Sequence, residues 1–131
     1  MTDKHLTIQE LNELANVAKQ AALAGGRELL NWRGKFEVRE KGPSDYVTDA
    51  DVASQNAIRA LLGDRYPDHA FVGEESANLS TPPDSDKLCW VVDPLDGTTN
   101  YLHDFPAFGV SVAVVRDGQP LAGAIFDPIR D

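Results

Sequence analysis

The sequence predicts an α+β protein in which two helices are layered on an antiparallel sheet. Three observations carry this expectation. Apolar residues recur at helical spacing early in the chain, at Ile8, Leu11, Leu14, Ala15, Ala18, Ala22 and Leu29, which sets one stripe against a core. A second helical pattern runs from Thr48 to about Arg65. Strand-like runs then take over, with Val110, Val112 and Val114 on one face before Asp117-Gly118 and a return run from Leu121 to Phe126. Asp-Gly between two such runs is a strong hairpin signal.

Each element has a local reason. Thr7-x-x-Glu10 is a capping-box pattern that opens the first helix. The small stripe Ala18, Ala22, Gly25 and Gly26 lets another element approach closely. Phe36 and Val38 alternate with charged neighbours as a short strand that Gly42-Pro43 ends. Thr48 suits an N-cap with Asp51 three residues on, and Ala53, Ala57, Ile58, Leu61 and Leu62 are the apolar positions that follow. Tyr66-Pro67 stops that helix. Ala70-Phe71-Val72 reads as a short buried strand, and Asn78 to Lys87 as a polar surface loop. Tyr101 to Pro106 reads as loop or a helical turn.

Composition narrows the classes. The chain has 131 residues and 42% hydrophobic content, the size of one domain, 1–131, with a real core. No apolar run approaches the ~20 residues that span a bilayer, and Met1 to His5 lacks the order of a signal peptide. The single cysteine, Cys89, excludes an internal disulfide framework and fits a reducing cytoplasm. Its apolar setting makes it a buried small hydrophobe. Net charge is −9, from 21 acidic against 12 basic residues with no Lys/Arg cluster. That surface repels nucleic acid, so no direct nucleic-acid partner and no membrane are expected.

Chemistry concentrates where acids meet strand ends or helix starts. The apolar run Leu88 to Val92 delivers Asp93 and Asp96 onto a loop containing Pro94 and Gly97. Two carboxylates three residues apart are oxygen ligands for a hard divalent cation. Gly97, Thr98 and Thr99 follow where a helix could start, and amides there cradle phosphate. Glu74 and Glu75 follow the strand at Val72, and adjacent residues point to opposite sides of an extended chain, so at most one is a direct ligand. Asp51, read alone, is a capping-box acid on the helix dipole. Alone, each acid is an ordinary turn or cap. Bringing them together costs Coulombic energy that a cation would offset.

Three segments then carry a resemblance: Asp45-Tyr46-Val47-Thr48-x-x-Asp51, Phe71-Val72-Gly73-Glu74-Glu75-Ser76, and Trp90-Val91-Val92-Asp93-Pro94-Leu95-Asp96-Gly97-Thr98-Thr99-Asn100-Tyr101. In content, order and spacing they resemble the N-terminal part of the inositol monophosphatase family of Mg2+-dependent, lithium-sensitive phosphatases. The resemblance implies the N-terminal part of the inositol monophosphatase/fructose-1,6-bisphosphatase fold. It implies two or three Mg2+ ions in the complete site. Glu74, Asp93, the Leu95 carbonyl and Asp96 are the implied metal ligands. Asp96 and the Gly97, Thr98 and Thr99 segment would receive the substrate, Thr98 with Asp51 would orient and activate the attacking water, and Glu75 would be a supporting catalytic acid behind the direct ligands. Lys41 is the candidate for the family's lysine near the site. His69 and His103 are expected at the surface or in loops.

The expected reaction is hydrolysis of a phosphate monoester, with inositol 1-phosphate leading and fructose 1,6-bisphosphate, nucleotide 3′-phosphates or histidinol phosphate as alternatives. The rival of another class is a non-catalytic partner of the transcription machinery on the same fold. A homodimer is the assembly the family suggests. The family's second half, with a Trp-Asp-x-Ala-Ala-Gly motif that completes the second metal site, has no counterpart, so a truncated domain with an incomplete site is expected.

Overall fold

The structure, a computed structural model, describes residues 5–35, 38–42, 45–73 and 87–130, with backbone alone at 38–42 and 45–47. Helix α1 (Ile8–Asn31) opens on the expected capping box: the Thr7 side chain accepts from the Glu10 amide at 3.0 Å, and the Glu10 carboxylate accepts from the Thr7 amide at 2.9 Å. Strands β1 (Val38–Gly42) and β2 (Asp45–Thr48) pair antiparallel. The sequence did not announce β2, because the segment before Thr48 carries a helix-start signal that masks its extended backbone. Helix α2 (Asp49–Arg65) follows directly.

The main sheet has four strands in the order β3 (Ala70–Val72), β4 (Cys89–Asp96), β5 (Gly109–Arg116) and β6 (Gln119–Phe126). The expected α+β class holds, yet the sheet is mixed. Strand β3 pairs parallel with β4, while β4–β5 and β5–β6 are antiparallel. Parallel neighbours need a crossover rather than a tight turn, and the long connection from Val72 to Cys89 supplies its length. The β5–β6 hairpin turns at Asp117 and Gly118, both at positive φ (53° and 72°), as a two-residue primed turn requires.

Both helices cover one sheet face. Leu14, Val17, Ala18, Ala21, Ala22 and Leu29 of α1 and Ile58 and Leu62 of α2 meet Trp90, Val92, Val110, Val112 and Val114 in one buried cluster. The opposite face is more open, with Ile125 84% exposed. Among the described residues no helix is long and apolar enough to cross a membrane. Cys89 is buried, as expected, and burial pushes its thiol pKa up.

His69 lies in the connection between α2 and β3, as expected, and is half-buried: its ring stacks on Tyr66 at 4.5 Å, and its Nδ1 accepts from Trp90 Nε1 at 3.0 Å. A buried indole N–H needs an acceptor, and the sequence could not show that His69 folds back to provide one. Burial accordingly lowers its pKa. The ring stack anchors the start of β4.

The small stripe on α1 does what its composition suggests. A Cβ on Gly25 would stand 2.7 Å from both Ile58 Cδ1 and Ser54 Oγ, and one on Gly26 would stand 2.5 Å from the Phe126 ring. Gly63, in α2, meets nothing within 4 Å. Gly25→Ala therefore sets an overpacking cost of about 1–3 kcal/mol against a helix-propensity gain of ~1 kcal/mol, and a net loss of stability is expected because two atoms clash at once. Gly63→Ala is expected to stabilise by about 0.4–1 kcal/mol. Urea unfolding of the two variants checks the opposite signs; equal midpoints would show that α1 and α2 separate without cost.

Candidate active site

Strand β4 carries the core residues Trp90 and Val92 straight into Asp93. Ladder pairing with β5 runs to Asp93↔Ser111, breaks, and resumes at Asp96↔Gly109. The cause is local. Pro94 has no amide hydrogen to give the ladder, so the strand bulges there. Asp93 and Asp96 thus lie within a bulged strand and not on the loop the sequence suggested, with Pro94 and Leu95 buried between them.

The bulge sets the carboxylates. Asp93 Oδ1 accepts from the Leu95 amide at 3.3 Å. Burial holds the Asp93 pKa above the usual carboxylate range, the charge of Asp96 adds to the rise, and the Leu95 amide opposes both. Asp96 itself is exposed. A partly buried carboxylate beside a like charge is a position that a cation relieves.

Helix α3 (Thr98–Leu102) starts one residue beyond Asp96, as the Gly-Thr-Thr run suggested. Its cap, Gly97, sits at φ 93°, and a Cβ there would lie 2.9 Å from the Ala107 carbonyl oxygen. Glycine is needed on both counts. Thr98 Oγ1 donates to the Leu95 carbonyl at 3.2 Å, and Asn100 Nδ2 donates to the Ala107 carbonyl at 2.9 Å. Buried Tyr101 donates its phenol to the Leu29 carbonyl at 2.6 Å. That bond satisfies a last-turn carbonyl of α1 and ties α3 to it. Burial first, then the charge of Asp51, push the Tyr101 pKa up to about 12, with Arg33 opposing, so the phenol keeps its donor proton.

On α2, Asp51 is 1% exposed. Its Oδ1 accepts from the Thr48 amide at 3.0 Å and from the Thr48 hydroxyl, and the Asp51 amide donates back to Thr48 Oγ1 at 3.2 Å. The capping-box reading of Asp51 therefore holds. Its burial is more than capping needs, and its charge reaches the phenol of α3. One turn on, buried Ser54 donates to the Pro94 carbonyl at 2.8 Å. Sequence reasoning missed Ser54; the available signal was a hydroxyl on the stripe Asp51, Ser54, Ile58 and Leu62, where packing alone would take an apolar residue.

The structure thus places Asp93, Leu95, Asp96, Gly97 and Thr98 on the β4 bulge and the start of α3, with Asp51 one helix turn from Ser54, which bonds to that bulge. Thr99 is exposed on α3. Glu74 and Glu75 lie outside the described residues, and so does the Lys41 side chain. His103 is exposed at the end of α3. Among the described residues no group of three or more His, Cys, Asp or Glu side chains is placed to hold a metal. Asp93, Asp96 and the Leu95 carbonyl offer oxygen donors only, and the burial and neighbouring charge that raise the Asp93 pKa both disfavour a bare carboxylate, which a bound cation would stabilise. The donor chemistry fits a hard cation, with further donors required from outside the described residues.

The model of the inositol monophosphatase family matches residues 10–131. A fructose-1,6-bisphosphatase/inositol-1-monophosphatase of Aquifex aeolicus is 39% identical over 127 residues, 95% of this chain and 47% of its own. A Nus factor SuhB of Pasteurella multocida is 40% identical over 124 residues, 92% of this chain and 46% of its own. The crystal structure of the extragenic suppressor protein suhB from Bartonella henselae matches with a TM-score of 0.81 at 40% identity, over 88% of this chain and 45% of that one. The chain spans about half the length of the curated relatives it matches.

The raised Asp93 pKa has a signed consequence. Above the ordinary value of 3.8 the unfolded carboxyl loses a proton that the folded one still holds, so Asp93 withdraws stability as pH rises through that window. Asp93→Asn is expected to raise the melting temperature of metal-free protein at neutral pH, with the gain shrinking as pH falls toward 3.8. Thermal melts in chelator across this range check it; a variant that melts lower at neutral pH would show that burial and the neighbouring charge do not destabilise the carboxylate.

Proposed function

The chain belongs to the inositol monophosphatase family, and from that premise we propose that it contributes to Mg2+-dependent hydrolysis of a phosphate monoester, inositol 1-phosphate before others. The observation that carries the reading is the pair Asp93 and Asp96 on a bulge that runs directly into Gly97 and Thr98. Acids for a cation and amides for a phosphate then stand side by side.

In this reading Glu74, Asp93, the Leu95 carbonyl and Asp96 hold the metal. Bound Mg2+ supplies Lewis-acid polarisation of the phosphoryl group and offsets the charge of the leaving oxygen. The Gly97, Thr98 and Thr99 segment orients the phosphate, with Gly97 and Thr98 offering backbone amides at the start of α3. Asp51, with Thr98, takes and orients the proton of the attacking water, and Glu75 supports them. Phosphoryl transfer asks the protein chiefly for positioning and charge compensation, which explains why carboxylates and amides fill these motifs.

Relatives with different printed names leave room for related substrates. The Aquifex relative's name covers fructose 1,6-bisphosphate as well as inositol 1-phosphate. A second reading, a partner role in transcription, is favoured by the relative named Nus factor SuhB. The acids separate the two readings, since a scaffold has no use for a buried, repelled carboxylate.

The test is phosphate release from inositol 1-phosphate with and without Mg2+, in this chain and in one extended to the family's length. Mg2+-dependent release by the extended chain, reduced at least 100-fold by Asp93→Asn, is expected, because loss of a direct metal ligand exceeds the roughly 10–100-fold typical of outer partners. Release unchanged by Asp93→Asn would sink the metal assignment. No release from any of the named phosphate esters would favour the transcription reading.

A further inference from the structure

We infer that Ser54 is a positioning residue that sets the orientation of the Asp93 carboxylate through the Pro94–Leu95 peptide. The inference rests, for its bearing on metal binding, on the reading of Asp93 given above. The Pro94 carbonyl and the Leu95 amide belong to one planar peptide unit. On one side Ser54 Oγ donates to that carbonyl at 2.8 Å, and on the other the Leu95 N–H donates to Asp93 Oδ1 at 3.3 Å. Rotating the plane would break both bonds together.

The bulge makes this tie necessary. Between Asp93↔Ser111 and Asp96↔Gly109 the ladder has no register partner for Pro94 or Leu95, yet both are buried. Buried backbone polar groups need partners, and the partner of the Pro94 carbonyl comes from α2 rather than from the sheet. Ser54 is 0% exposed and sits one turn after Asp51, so a single helix turn carries both the candidate base and the donor that aims the candidate ligand. The facing residue on α1 is Gly25, whose missing Cβ leaves room for Ser54 Oγ. Alanine at 54 would fill the same interface without holding the peptide. A hydrogen bond to the carbonyl also polarises the peptide and strengthens its N–H as a donor to Asp93.

The test is Ser54→Ala, read by amide hydrogen exchange in this chain and by titration with Mg2+ alone in the chain extended to the family's length. Exchange at the Leu95 amide is expected to accelerate at least tenfold while Val112 and Ile58 amides stay unchanged. Mg2+ affinity is expected to fall by roughly 10–100-fold, as when an outer partner of a metal ligand is removed. Ser54→Thr, which keeps the hydroxyl, is expected to restore Leu95 protection. Unchanged Leu95 exchange would overturn the inference, and so would uniform acceleration through α2, β4 and β5, which marks loss of packing alone. Selective acceleration alongside an extended parent chain that takes up no Mg2+ would support the hydrogen-bond tie and overturn the metal role of Asp93 instead.

Discussion

A buried strand that has to leave its ladder is the constraint around which this molecule is arranged. Pro94 cannot donate to β5, yet the chain on both sides of it is paired and packed. The backbone polar groups of Pro94 and Leu95 therefore find partners other than the β5 ladder. Ser54 reaches the Pro94 carbonyl, Thr98 reaches the Leu95 carbonyl, and Asp93 takes the Leu95 amide. Helix α2 on one side and helix α3 on the other are thereby fixed to one short stretch of β4. A net contribution of about 0.5–1.5 kcal/mol per bond makes these ties modest as stability and decisive as geometry.

The approach of the two long helices serves the same stretch. Gly25 lets α2 come close enough for Ser54 to reach across, and Gly26 admits the Phe126 ring from the far strand. Tyr101 closes the arrangement by capping α1 from α3. Its bond and its T-shaped contact with Phe108, at 4.9 Å between ring centres, hold a helix too short to persist by itself. The apolar core supplies most of the favourable energy. The hydrogen bonds decide which of the arrangements open to that core is adopted.

Electrostatics runs against stability at this one place. Burial disfavours the ionised form of Asp93, and the charge of Asp96 adds to that. Asp51 is buried as well, but its Oδ1 is held by the Thr48 amide and hydroxyl. The two acids thus stand in different states: one settled in a cap and one poised for a counter-charge. Strain left at a site and offset elsewhere is what local rules lead one to expect where function resides.

Most of the architecture was legible locally. Capping boxes at Thr7 and Thr48, the helical stripes, the Asp117-Gly118 turn and the glycine cap at Gly97 are short-range signals. Each follows from the few residues around it, because capping, periodicity and positive φ are properties of neighbouring backbone. The motifs around Asp51 and Asp93 likewise pointed to one family before any fold was drawn. Four things were not legible. The parallel pairing of β3 depends on a partner far along the chain, and so does the His69 acceptor for Trp90. The bulge required knowing that β4 pairs with β5 on both sides of Pro94. The role of Ser54 required knowing which carbonyl lies opposite it, since one hydroxyl in a helix has no sequence signal for a partner forty residues away. What the sequence by itself determined was the set of elements and the chemistry they carry. The tertiary structure alone decided which side chains meet, because those contacts close long loops and are selected by packing rather than by local propensity.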